Sequence, residues 1–318
     1  MKYKEWLFEW LIVYKKNNIK ARTYQKYYNI ITKHLMNSLG EYNLNELTSI
    51  IIQRYITNLS ESGNLKNGKS LSPNTVDGII MVIRNSLTMA HNLGLMKENV
   101  VNYIVRPRKI EKKIDCFLPS EQKKLEEAIM NEKKDKMIGI IICLYTGIRL
   151  GELLALEWDD IDFLKGELVV NKTCYDSKDE KGSYIRVTDT PKTPSSFRTI
   201  PIPKQILPLL KKAKQRSVSI NVIAEGKKVP SIRSYQRSFE LLQKKINIDH
   251  HGFHALRHTF ATRAVECGMD VKSLSEILGH KNPTVTLNRY VHSSMMQKKI
   301  YMNKLGRLYN LNDFYAMD

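Results

Sequence analysis

The side chains whose types and surroundings suit chemistry are Arg149, Lys192, His254, Arg257, His280 and Tyr290. Tyr290 closes the stretch LGHKNPTVTLNRY, ten residues after His280. A phenol has a pKa of about 10 and is almost wholly protonated at neutral pH. As a nucleophile it needs a base for its proton, and cations for the charge that builds on the centre it attacks. The other five residues are candidates for those duties.

Each has a telling neighbourhood. Arg149 lies in YTGIRLGELLALEWDDID, three residues before Glu152. It is either an ordinary surface arginine or one whose planar fork Glu152 turns toward an oxyanion. In HHGFHALRHTFATRAVECGMD, His254, Arg257 and His258 fall along one side of a helix. Histidines at i and i+4 suit zinc, but Ala255 stands where a metalloprotease helix carries glutamate, and Arg257 sets a fixed positive charge against a cation. His258, with apolar neighbours, reads as packing. Gly279 stops a helix and delivers His280, and Asn282 and Pro283 open the next helix, which carries Tyr290. Lys192, in DTPKTPSSFRTIPIP, falls in a turn beside Pro191 and Pro194. A mobile hairpin there would let it reach a site and give up a proton.

The elements that must position these residues fall into two halves. A chain of 318 residues is long for one core, and two domains are expected. Residues 1–105 read as helices only: WLFEWLIVYKK with Trp6, Trp10, Val13 and Tyr14 at helical spacing, ARTYQKYYNIITKHLMNSL, NELTSIIIQRYITNLSE, and a fourth helix opened by Ser72-Pro73. That last helix carries Val76, Ile80, Ile83, Leu87 and Ala90 on one face. Residues 106–117 form a basic linker interrupted by Pro107, suited to a clamp on a duplex or simply joining two domains. Ser120 is the expected cap of the next helix, and MIGIIICLYTG gives a buried one ending at Gly147. Three strands follow in GELVVNKTCYD, GSYIRVTDT and FRTIPIP, then helices to the end. The fold class is mainly α (α+β), with a four-helix N-terminal domain and a mainly helical second domain carrying a small antiparallel three-stranded sheet.

Charge points to the partner. Lys and Arg number 51 against 32 Asp and Glu, a net +19 spread along the chain, which suits a polyanion such as nucleic acid. The four cysteines form no CxxC pair, so neither a zinc ribbon nor a disulfide framework is encoded. No apolar run suits a signal peptide or a membrane span, and the expected setting is a reducing cytoplasm, with the protein on the nucleoid when DNA-bound.

The segments TGIRLGELLALEWDDID, TPKTPSSFRTIPIP, HALRHTFATRAVECGMD and LGHKNPTVTLNRYVH together resemble the tyrosine recombinase (phage integrase) family. The resemblance covers a catalytic domain at residues 118–292, and the helical first half resembles that family's core-binding domain. It implies a site-specific recombinase, needing no metal, cofactor or ATP, that integrates and excises a phage or conjugative element. Resolution of replicon dimers is the alternative. Tyr290 would attack a DNA phosphodiester and leave a 3′-phosphotyrosyl link. Arg149 and Arg257 would clamp the non-bridging oxygens, braced by Glu152, and His280 would bond the same phosphate. His254 would be the general base and Lys192 the general acid for the leaving 5′ oxygen. Double-stranded crossover DNA is the implied partner, with no membrane, four protomers on two sites, and an excision factor as a further partner. Residues 293–318 are expected to form a tail that docks on a neighbouring protomer. Because the sequence opens on the core-binding helices, it is expected to read its crossover region alone. Three rivals remain: a type IB topoisomerase, a silent DNA-binding relative and a metal-dependent phosphoesterase.

Overall fold

The computed structural model describes residues 1–65, 67–108, 114–131, 135–178, 184–189, 197–290 and 295–308. The chain divides into two compact units, Met1–Lys112 and Lys113–Asp318.

The amino-terminal unit is built on four helices: α1 (Tyr3–Glu9), α2 (Ala21–Ile30), α3 (Ser49–Ser62) and α4 (Pro73–Asn92). Two of them begin on hydroxyl caps. The Thr48 hydroxyl accepts from the Ile51 N–H at 3.3 Å, and Ser72 accepts from Thr75 at 3.2 Å ahead of Pro73, which has no N–H to leave unpaired. The α4 face expected to be apolar is buried along its length, from Val76 through Ala90. In α1 the expected face slips. The helix continues into a π-helical turn over Trp10–Lys15, whose wider turn shifts the phase, so Trp6 and Trp10 are buried while Val13 is exposed. Within this core the Trp6 indole donates to the Ser86 carbonyl at 2.9 Å, and the Tyr3 and Ser86 hydroxyls meet at 2.8 Å.

The carboxy-terminal unit opens with α5 (Pro119–Met130), α6 (Ile138–Thr146) and α7 (Leu150–Leu154). Ser120 does not cap α5. Leu118 takes the cap position, its N–H donates to the Glu121 carboxylate at 2.8 Å, and Pro119 fills the first helical position, where its fixed φ suits the start. Helix α6 is apolar on nearly every side and buried apart from the half-buried Tyr145. Then come β1 (Ile161–Asp162), β2 (Glu167–Val170), β3 (Thr173–Lys178), β4 (Tyr184–Asp189) and β5 (Arg198–Pro201).

A small antiparallel three-stranded sheet is present, but its membership differs from the three runs read as strands. The run GELVVNKTCYD breaks at Asn171-Lys172, giving β2 to a sheet ordered β1-β2-β5 and β3 to a separate hairpin with β4. The register pairs Leu168 with Ile200 and Val170 with Arg198. The β3–β4 hairpin is thus an insertion between two neighbouring strands of the first sheet.

Five helices follow: α8 (Leu207–Arg216), α9 (Ile232–Lys245), α10 (His254–Glu266), α11 (Val271–Leu278) and α12 (Pro283–Tyr290); α13 (Met295–Leu308) comes last. The segment leading into α5 is fastened to the start of α10. The Phe117 N–H donates to the Thr259 hydroxyl at 2.9 Å, and Asp115 meets His251 Nδ1 at 2.5 Å. No described helix is long and apolar enough to cross a membrane.

Candidate active site

The site is assembled at two glycine-ended helices. Gly147 ends α6 at φ +66° and Gly279 ends α11 at φ +65°, a left-handed conformation that side chains adopt at a cost. Each turn delivers a candidate residue: Arg149 two positions on, His280 one position on.

Arg149 stands at the cap position of α7. Glu152 accepts its backbone N–H at 2.8 Å and its Nη1 at 2.7 Å, while Nη2 donates to the Gly279 carbonyl at 3.1 Å. The guanidinium is therefore held from two sides, with 36% of the side chain still exposed.

Arg257 lies on α10, buried, and reaches both glycine turns. Its Nη1 donates to the Gly147 carbonyl at 2.8 Å and its Nη2 to the Leu278 carbonyl at 2.7 Å. The same Nη2 lies 2.9 Å from His280 Nε2. A guanidinium only donates, so Nε2 accepts and the proton of a neutral His280 sits on Nδ1. That N–H has its own acceptor, the buried Thr286 hydroxyl at 2.7 Å. Burial, and then the charge of Arg149, lower Arg257 to about 9, against the opposing pull of Glu152 and Tyr290, so it stays charged at neutral pH.

Tyr290 ends α12 and is 6% exposed. Its hydroxyl lies 2.7 Å from His258 Nδ1. His258, which sequence assigns to packing, is thus a partner of the phenol. Its apolar helical neighbours mask a contact to a residue 32 positions away. His254, the expected base, is exposed at the start of α10, and its ring meets that of His258 edge-on with centroids 4.6 Å apart. Lys192 lies outside the described residues.

Sequence reasoning also passed over Arg198. From the first position of β5 its Nη2 and Nη1 reach the two Glu152 oxygens at 2.8 and 3.1 Å, and its Nε donates to the Ile277 carbonyl at 2.6 Å. A signal was present. Arg198 stands two residues before Ile200 and four before Ile202, so strand alternation puts it on their buried face. Burial alone would raise the Glu152 carboxyl, but the hydrogen bonds and charge of Arg198, with those of Arg149, hold it at about 2.

Arg149 and Arg257 can together take an anion, with His280, a phenol and two further imidazoles alongside. The chain as a whole is similar to known proteins. The model of the phage integrase family matches residues 117–297, and that of the phage integrase N-terminal SAM-like domain matches residues 2–60. A tyrosine recombinase XerC-like protein of Caldanaerobacter subterraneus is 30% identical over 96% of this chain and 81% of its own. The ICEBs1 integrase of Bacillus subtilis is 26% identical over 91% of this chain and 78% of its own. The Tn1549 transposon integrase, solved in complex with a circular intermediate DNA, shares the fold with a TM-score of 0.79 at 21% identity, covering 96% of this chain and 99% of that one.

Proposed function

The chain belongs to the phage integrase family, the tyrosine recombinases that cut and rejoin DNA strands, and we propose that Tyr290 is the residue through which it does so. One observation carries the assignment: the Tyr290 hydroxyl sits 2.7 Å from an imidazole, close enough to Arg257 to act on that guanidinium electrostatically. The phenolic oxygen attacks the scissile phosphorus, the bond to the 5′ oxygen breaks, and a 3′-phosphotyrosyl link remains. Its energy is close to that of the diester broken, so a 5′-hydroxyl reseals the strand without ATP. Arg149 and Arg257 neutralise the non-bridging oxygens, and His280 shares that phosphate by carrying its proton on Nε2, with Nδ1 then accepting from the Thr286 hydroxyl. Lys192 gives the leaving oxygen its proton.

The two imidazoles divide the work at the phenol. In the DNA-free protein His258 holds a Tyr290 that is nearly closed to solvent. As the phenol moves outward to meet a phosphate, the ring next to His258 is the exposed His254, and there the proton is taken. His254→Gln should then slow cleavage more than His258→Gln in single-turnover assays; the reverse order would reassign the base to His258.

The charge of +19 suits double-stranded DNA as the partner. The likeness to the ICEBs1 integrase and to a transposon integrase supports integration and excision of a mobile element over dimer resolution. For assembly, Tyr301, Met302 and Leu305 of α13 are exposed, and this face docks on a neighbouring protomer in a tetramer on two DNA sites. Protein ending at Ser294 should bind DNA yet fail to form that tetramer by native gel or light scattering, and full assembly without the tail would sink the idea.

The central test is a covalent one. The crossover sequence is mapped by sequencing DNA trapped on the wild-type protein, then rebuilt as a short nicked duplex. With EDTA present, wild-type protein should give a protein–DNA adduct, and Tyr290→Phe should bind the duplex and give none. An adduct from the Phe variant would remove Tyr290 from the role; strand cleavage that leaves no adduct and stops in EDTA would favour a metal-dependent phosphoesterase.

A further inference from the structure

The geometry points to Arg198 as a positioning residue for cleavage, acting through Glu152 on Arg149 and through α11 on the turn that presents His280. The inference rests on reading Tyr290 as the nucleophile of a phosphate site.

Arg198 and Glu152 are both nearly sealed from water, with 6% and 5% of their side chains exposed. A buried ion pair recovers in Coulomb attraction about what its desolvation costs, so stability alone is a weak reason to keep one. At this position on β5 an apolar side chain would fit the alternation that buries Ile200 and Ile202. What an apolar residue cannot supply is the three-way reach. Arg198 holds both oxygens of Glu152 and, through Nε, the Ile277 carbonyl near the end of α11. Its guanidinium also lies directly under Gly279, where an added Cβ would come within 3.0 Å of Nη1. The carbonyl of that glycine receives Arg149 Nη2. Arg198 thereby ties the α7 start to the turn before His280, and it anchors the strand that begins six residues after Lys192.

The charge balance gives the pair a second consequence. Glu152 carries one negative charge shared between two guanidiniums, so the three groups present a net +1 to an incoming phosphate. Without Arg198 the carboxylate would pair with Arg149 alone. That would cancel the charge Arg149 offers and draw its fork inward.

Two variants separate this role from simple support of the fold. Arg198→Met keeps the bulk and removes the charge; Arg198→Lys keeps the charge and loses the planar fork, and serves as the assay variant should the Met protein not fold. On the nicked crossover duplex, both should bind within about threefold of wild type. Adduct formation should fall about 100-fold for Met and about 10-fold for Lys, the scale of losing one donor to a developing oxyanion. A methylphosphonate at the scissile position replaces one charged oxygen with a neutral methyl group, so less charge remains to be neutralised. On that duplex the penalty should shrink to under about fivefold relative to wild-type protein. Wild-type rates in both variants, or an equal penalty on both duplexes, would overturn the inference. An adduct from wild-type protein is the control for the underlying reading; without one, that reading falls and this inference with it.

Discussion

Glu41 in the amino-terminal unit and Glu152 in the carboxy-terminal unit each hold two cationic side chains. Glu41 meets Lys2 at 2.9 Å and Lys4 at 2.6 Å with 48% of its side chain exposed, whereas Glu152 meets Arg149 at 2.7 Å and Arg198 at 2.8 Å with 5% exposed. The pairings are alike in charge and distance and differ in burial and in the shape of the cation. Around Glu41 water and salt screen the attraction, and two flexible lysines lose freedom to make it. Around Glu152 the low dielectric makes every misplaced charge costly, so the groups there are fixed. The contrast extends to the units. Among the described residues of the first unit, Ser86 is the buried polar one, while the second buries Lys136, Glu152, Asp160, Arg257 and His258. One unit is organised by packing, the other by placed charge.

Acid should break the comparison most forcefully. The Glu152 carboxyl sits at about 2 against an ordinary 4.5, so the unfolded chain binds that proton more readily than the folded one. The stability this confers is fully present above pH 4.5 and is lost as pH falls toward 2. It amounts to about 3 kcal/mol. Urea titrations of the full chain at about pH 5 and about pH 2.5 should show a steeper loss for wild type than for Glu152→Gln, by roughly that amount. Parallel losses would mean that the buried carboxylate is no better paired than the exposed one.

The same contrast decides what could be read before the fold was known. Local signals carried far: Ser72-Pro73 opening α4, the glycines ending α6 and α11, and the four matching segments that gathered Arg149, Arg257, His280 and Tyr290. Packing periodicity made the four-helix unit legible because its core is almost wholly apolar. The misses at the site are contacts over long sequence distances. His258 finds Tyr290 from another helix, and Arg198 finds Glu152, 46 positions away, from the last strand of the three-stranded sheet. The break at Asn171-Lys172 was hidden because β-branched residues flank it on both sides. Propensity describes a strand and not which strand it will pair with. Lys192, read as a proton donor from its turn, lies outside the described residues.

A smaller effect should come from Thr286, the buried hydroxyl 2.7 Å from His280 Nδ1. Valine matches threonine in shape and lacks the hydroxyl, so His280 Nδ1 loses this partner and the imidazole is held less firmly. Single-turnover adduct formation should slow about 10-fold, or about 1.4 kcal/mol, with Thr286→Val, and stay near wild type with Thr286→Ser. Equal rates for Val and wild type would show that the Thr286 contact does not position His280.

The smallest effect is expected where the ion pairs look best on distance alone. Glu41→Gln removes a carboxylate from two lysines, at separations close to those around Glu152. Hydrogen bonds from Lys4 and Lys2 do lower its carboxyl, so the interaction is present in the folded chain. Yet both lysines keep their hydration and can meet water or a counterion in place of the carboxylate, so nothing is left stranded when it goes. The melting temperature should not move measurably at physiological salt, and any shift at low salt should vanish as salt is added. Glu152→Gln has no such escape, because Arg198, 6% exposed, would face a neutral amide away from solvent. A loss at Glu41 comparable to that at Glu152, persisting in high salt, would show that proximity of opposite charges sets their worth in this protein, and burial does not.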